Sequence, residues 1–135
     1  MKHRIMLVDD HKLFRKGLRM LVESLNRYEV VAEAANGREF LDLLEHELPD
    51  VVTLDIAMPE MDGIEAAGLA IRKFPDLKII TISTFGDQDH LRQMVVIGVK
   101  GFLLKTADPE EVNTALKTVI AGGTYFATGE DPGEP

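Results

Sequence analysis

The chain has 135 residues, 45% hydrophobic and 28% charged, a mix that suits one globular domain with a core needing no cross-links. It has no cysteine, which excludes disulfides and thiolate metal sites and permits a reducing compartment. Its net charge of −8 argues against direct nucleic-acid binding through a basic face, and no apolar run approaches the ~20 residues that span a bilayer.

Short apolar strands alternate with amphipathic helices along the chain. Met1 to Met6 lead straight into the first strand pattern, Arg4–Val8, so no signal peptide is expected. A helix over about Lys12–Leu25 follows, with Leu13, Phe14, Gly17, Leu18, Leu21, Val22 and Leu25 at helical spacing. The second strand is Glu29–Ala34, and Asn36 is the expected N-cap of a helix carrying Phe40, Leu41, Leu43 and Leu44. The third strand, Val51–Leu54, is a nearly continuous apolar run, as in strands buried on both faces of a parallel sheet. Then come a helix near Ile64–Lys73, a strand at Lys78–Ser83, a helix at Asp87–Ile97 and a strand at Gly101–Leu104. The last helix opens on Asp108-Pro109-Glu110-Glu111, a capping acid, a proline suited to the first turn, and two acids that favour a helix N-terminus. Gly122-Gly123 ends it, and the acidic, Gly- and Pro-containing stretch after Tyr125 reads as a tail or the start of a linker.

Strict alternation of five strands and five helices predicts an α/β fold: a doubly wound parallel sheet in the flavodoxin-like order 2-1-3-4-5. Ligands of such sheets bind beyond the carboxyl ends of the strands, where the order reverses. There the sequence puts Asp9 and Asp10 after the first strand, Asp55 after the third, Ser83-Thr84 at the fourth and Lys105 after the fifth. Acids this close repel by roughly 4 kcal/mol per pair at ~4 Å and an effective dielectric near ~20. Lys105 offsets part of that repulsion, and a hard divalent cation such as Mg²⁺, held by oxygens, would offset the rest. Such a site suits phosphoryl transfer, which depends on positioning and charge neutralisation. Asp55, alone at the middle of the sheet, is the expected nucleophile; Asp9 and Asp10 would hold the cation, and Ser83 would donate to a phosphoryl oxygen. No Gly-rich phosphate loop is present. His3, His11, His46 and His90 lack metal-ligand spacing and are expected at or near the surface.

Three runs carry a family resemblance: Leu7-Val8-Asp9-Asp10-His11, Leu54-Asp55-Ile56-Ala57-Met58-Pro59-Glu60-Met61-Asp62-Gly63, and Gly101-Phe102-Leu103-Leu104-Lys105. Together they resemble the CheY-like receiver domains of two-component response regulators, over residues 2 to 124. Asp10-His11 and the non-proline after Lys105 lean towards the NarL/FixJ (LuxR-type) subfamily. The resemblance implies a receiver domain over 1–124, with 125–135 as tail or linker. It implies phosphorylation of Asp55 by a sensor histidine kinase, and Mg²⁺ on Asp10, Asp55 and the main-chain carbonyl of Ala57, with Asp9 assisting. It further implies Lys105 on the phosphoryl group, Ser83 as switch hydroxyl and Phe102 as a switch aromatic that rotates inward.

The sequence departs from the family pattern at Thr106, where many receivers have proline, at Thr84, where a smaller residue is common, and at Ala57 and Phe85, where polar residues are common. The resemblance also implies a cytoplasmic phosphoacceptor rather than an enzyme, a possible homodimer on phosphorylation, and output through a C-terminal helix-turn-helix DNA-binding domain absent from these residues. The alternatives are a stand-alone receiver, a pseudo-receiver that only binds partners, and a Mg²⁺-dependent phosphatase with an aspartyl-phosphate intermediate. The phosphatase is disfavoured because Asp55-Ile56-Ala57 lacks the second acid of an Asp-x-Asp motif.

Overall fold

Alternating side chains along the strands divide the apolar residues between two cores. On β1 (His3–Val8), Met6 and Val8 face one side and Ile5 and Leu7 the other. β3 (Val51–Asp55) and β4 (Ile79–Ser83) repeat the pattern: Val52, Leu54 and Ile79 join the first core, Val51, Ile80 and Ile82 the second. α2 (Gly37–Leu44), α3 (Gly63–Lys73) and α4 (Gln88–Ile97) cover the first face with Phe40, Leu44, Ala66, Ala67, Ala70 and Met94. α1 (Lys12–Ser24) and α5 (Pro109–Ile120) cover the second with Leu18, Val22, Val112, Leu116 and Val119. This is the computed structural model of the chain, and it describes residues 2–58, 60–84 and 88–127, without the side chains of residues 88–90. Pro59, Phe85, Asp87, the His90 side chain and the tail from residue 128 onward lie outside the described residues.

The sheet is parallel throughout, in the order β2-β1-β3-β4-β5-β6, with β2 at Tyr28–Ala34 and β5 at Gly101–Leu104. The expected five-stranded order is present. A sixth strand, β6 (Tyr125–Phe126), is added where the tail was expected to begin. The Tyr125 amide donates to the Lys100 carbonyl at 3.0 Å, and the Ala127 amide to the Phe102 carbonyl at 2.8 Å. The open edge of β5 thus recruits two residues too few to show a period.

Helix starts follow the local chemistry. Asn36, Asp62 and Asp108 each accept a hydrogen bond at 2.8 Å from the backbone N–H three residues on. Gly122, at φ +102°, provides the left-handed residue that ends α5. No helix among the described residues is long and apolar enough to cross a membrane.

Candidate functional site

Parallel strands that start at one level also end at one level, so the residues closing β1, β3, β4 and β5 meet at a single edge. Asp55, the last residue of β3, is almost wholly buried, with 1% of its surface exposed. Asp9, next after β1, is buried, and Asp10 is exposed. Asp9 is fixed by its surroundings: its amide donates to the Ala34 carbonyl at 3.0 Å, and its Oδ1 accepts from the His11 amide at 2.7 Å. That second bond satisfies a donor at the start of α1, where the His11 side chain makes no cap. Ser83 is buried at the end of β4, and its carbonyl accepts from the Lys105 amide at 2.7 Å. The lysine is thereby fastened to the neighbouring strand.

The Lys105 ammonium sits 3.2 Å from Asp9 Oδ2 and 3.4 Å from Asp55 Oδ2. Its Nζ also lies 4.8 Å from the centre of the Phe14 ring, within cation–π range. On the far side of Asp55, Oδ1 accepts from the Ala57 amide at 3.1 Å. Burial pushes the Asp55 carboxyl up to about 6; the Ala57 N–H opposes the rise, Asp9 adds to it, and Lys105 opposes it. Burial thus outweighs the groups that favour the charged form, and an added cation would tip Asp55 back towards the carboxylate.

The loop after β3 is shaped by contact with Gly63. A Cβ there would lie 2.4 Å from the Asp55 carbonyl oxygen and 2.5 Å from the Ile56 Cα, so only glycine fits. The Gly63 amide donates to the Ile56 carbonyl at 3.0 Å, closing the loop back on β3.

Asp9, Asp10, Asp55, Ser83 and Lys105 therefore converge on the predicted edge. Ala57 is exposed two residues beyond Asp55. Thr84 is exposed, and the Lys105–Thr106 peptide is trans. Phe102 is fully buried in the first core, so the ring already lies in the inward position expected only after switching.

His11 lies at the surface as expected, yet it joins the acid cluster, which its spacing did not indicate. It is exposed, but its Nδ1 lies 2.7 Å from the Lys105 ammonium. One donor atom from each of Asp9, Asp10, His11 and Asp55 falls within 4.8 Å of the others. The spacing rule missed it because the partners come from two strands; the signal present was its position directly after two acids at a strand end. Three carboxylates at this separation fit a divalent cation that takes oxygen ligands.

The chain matches the profile of the response regulator receiver domain over residues 5–117. It is 43% identical over 123 residues to the uncharacterized transcriptional regulatory protein YhcZ of Bacillus subtilis, across 90% of this chain and 56% of that protein. To the transcriptional regulatory protein DegU of Brevibacillus brevis it is 36% identical over 125 residues, across 93% of this chain and 53% of that one. The chain thus spans little more than half the length of these curated relatives. The crystal structure of a two-component response regulator of the LuxR family from Aurantimonas sp. SI85-9A1 superposes with a TM-score of 0.89 at 33% identity, covering 93% of this chain and 89% of that one.

Proposed function

The chain belongs to the response regulator receiver family, and from that premise we propose that Asp55 accepts a phosphoryl group from a sensor histidine kinase in a Mg²⁺-dependent reaction. The observation that carries the reading is the convergence of a buried acceptor acid, two further acids and one ammonium at the end of a parallel sheet. Asp9, Asp10, Asp55 and the Ala57 main-chain carbonyl would hold Mg²⁺, with Asp9 assisting. When bound, the ion supplies positive charge against the phosphoryl oxygens.

The chain's own groups have distinct parts. An Asp55 carboxylate oxygen forms the new bond to phosphorus while the bond to the donor's leaving group breaks. Lys105, already 3.4 Å from Asp55 Oδ2, neutralises a phosphoryl oxygen, and Ser83 donates a hydrogen bond to another. The protein is then a phosphoacceptor that catalyses at most its own phosphorylation and dephosphorylation, and not an enzyme with turnover. Ser83 and Phe102 form the switch. Phosphorylation secures the inward packing that Phe102 already occupies against an outward alternative, and the surface of α4, β5 and α5 follows that balance.

The relatives are transcriptional regulators by name, which supports output through a C-terminal helix-turn-helix domain outside these residues; homodimerisation on phosphorylation belongs to the same reading. The setting that suits a histidine kinase partner is the cytoplasm.

Intact-mass spectrometry after treatment with acetyl phosphate and Mg²⁺ tests the central claim. The expected result is a single added phosphoryl group on the wild type and none on Asp55→Asn. Equal labelling of both would place the acceptor elsewhere, and steady turnover of p-nitrophenyl phosphate would favour a phosphatase.

A further inference from the structure

The phosphoacceptor reading makes no use of His11, yet its ring stands among the acids. The Nδ1 atom lies 3.4 Å from Asp9 Oδ1, 3.7 Å from Asp10 Oδ1 and 3.9 Å from Asp55 Oδ2. Two donors bound to one ion at ~2.1 Å are separated by ~3.0 Å at a right angle, ~3.4 Å in a tetrahedron and ~4.2 Å at opposite poles. The three His11 separations fall inside that range, and the four donor atoms together lie within 4.8 Å of one another, so the acids would have to draw in slightly around an ion. The ring is also anchored at its root, because the His11 amide is bonded to Asp9 Oδ1 at 2.7 Å.

Mg²⁺ makes little use of a ring nitrogen, whereas imidazole suits Zn²⁺, Ni²⁺ and Cu²⁺. We infer that His11 opens this pocket to a second class of cation: with Asp9, Asp10 and Asp55 it takes a borderline divalent metal such as Zn²⁺ through Nδ1, in competition with Mg²⁺ for the same acids. The inference rests on the phosphoacceptor reading for the role of the acids and concerns which ions reach them.

Lys105 gives the competition a physical form. Its ammonium has only donors, so at 2.7 Å it uses the Nδ1 lone pair, the same lone pair a metal needs. Ligation by His11 and contact between His11 and Lys105 exclude one another. A pocket holding a metal through His11 would thus occupy Asp55 and displace the lysine from the ring, and it should accept phosphate slowly.

The test uses the whole chain, with ZnCl₂ and MgCl₂ as probes. Calorimetry measures both affinities on the wild type and on His11→Ala, and imidazole-selective ¹⁵N NMR follows each histidine ring. Zn²⁺ should bind at least about tenfold more tightly than Mg²⁺ and move the His11 Nδ1 resonance. The His3 ring, 3.9 Å from Asp50, is the internal control for adventitious zinc at the surface. His11→Ala should weaken Zn²⁺ by roughly tenfold or more while Mg²⁺ stays within about threefold, since the lost group is a ligand for one metal only. His11 is exposed, so the variant's fold is not at risk, and circular dichroism verifies it. A His11 Nδ1 resonance unmoved by saturating Zn²⁺, or equal losses for the two metals, overturns the inference. The phosphoacceptor reading fails separately: a chain that binds no Mg²⁺ and takes no phosphate, while Zn²⁺ still moves His11 Nδ1, would sink that reading and leave the zinc assignment standing.

Discussion

Phe102 and Lys105 stand three residues apart on one run of chain, and opposite physics holds them. Lys105 is surrounded by Asp9, Asp55, His11 and the Phe14 ring, partners that act through charge and lone pairs. Phe102 is fully buried in the core on the α2–α3–α4 side of the sheet, where shape alone decides. Its partner across the sheet, Thr81, makes the contrast sharper. The Thr81 hydroxyl is fully buried and satisfied within the core, by Met94 Sδ at 2.7 Å and the Gly101 carbonyl at 3.2 Å. Chemistry at the strand ends can therefore change by adding one ion or one phosphoryl group, whereas a change at Phe102 must find a second packing.

Truncating the packed side should have the largest effect. Phe102→Ala is expected to cost about 3–5 kcal/mol in urea denaturation, the usual loss for a buried phenylalanine. Under conditions where the variant is still folded, Asp55 should take phosphate from acetyl phosphate as before, because no group that touches the acids has been removed. Loss of labelling in a folded Phe102→Ala protein would show that packing and charge are not separable here.

Asp55→Asn probes the charged side. Burial first, and Asp9 after it, hold the native Asp55 carboxyl near 6, above its ordinary value of 3.8. Between those values the native state binds the proton more tightly than the unfolded chain does, so this group's contribution to stability is complete below the lower value. It is lost as pH rises through about 6. The gap corresponds to ~3 kcal/mol at most. Without divalent cations, Asp55→Asn should then be more stable than the wild type at pH ~7.5 by up to ~3 kcal/mol, and the advantage should vanish near pH ~4. An advantage of the same size at both pH values would contradict a raised Asp55.

The division between charged strand ends and a packed interior also explains how much of the molecule was legible in its sequence. The five alternating units were legible because most strands are short and largely apolar and two helix starts carry a capping side chain, Asn36 and Asp108. The acids and lysine were legible because each follows a strand, and parallel strands bring those positions together. β6 was not, since Tyr125 and Phe126 gain their strand character only from the open edge of β5. His11 was not recognised as part of the cluster, because its neighbours Asp55 and Lys105 are remote in sequence. The inward placement of Phe102 depends on side-chain packing across two elements, which local pattern does not encode.

Lys105→Met gives a smaller but more specific test of the charged side. The ammonium is among the forces that restrain the rise of the Asp55 carboxyl. An opposite charge at this range commonly lowers a carboxyl pKa by about 1–3 units, and the low end of that range is worth ~1.4 kcal/mol. The variant should therefore show an Asp55 carboxyl ¹³C titration midpoint higher than the wild type's. It should also lose about 1–2 kcal/mol of stability at neutral pH in metal-free buffer. Methionine keeps much of the lysine's apolar bulk over Phe14, so an unmoved midpoint would mean that the ammonium matters for contact rather than charge.

The smallest effect belongs to the edge that neither side depends on. Tyr125 ties β6 to α5 by donating its hydroxyl to Glu111 Oε2 at 2.9 Å, and burial, with Glu111 behind it, raises the tyrosine's pKa. Tyr125→Phe removes that bond but leaves Glu111 within reach of water, so no buried acceptor is orphaned and the cost should be about 0.5–1 kcal/mol. Hydrogen exchange should speed up at the Tyr125 and Ala127 amides, whose acceptors are the Lys100 and Phe102 carbonyls. The Lys105 amide, bonded to Ser83 on the neighbouring strand, should keep its protection. Equal loss at all three amides would mean that β6 and the strand ends open as one unit, and the acid cluster would then depend on an edge that makes no contact with its charges.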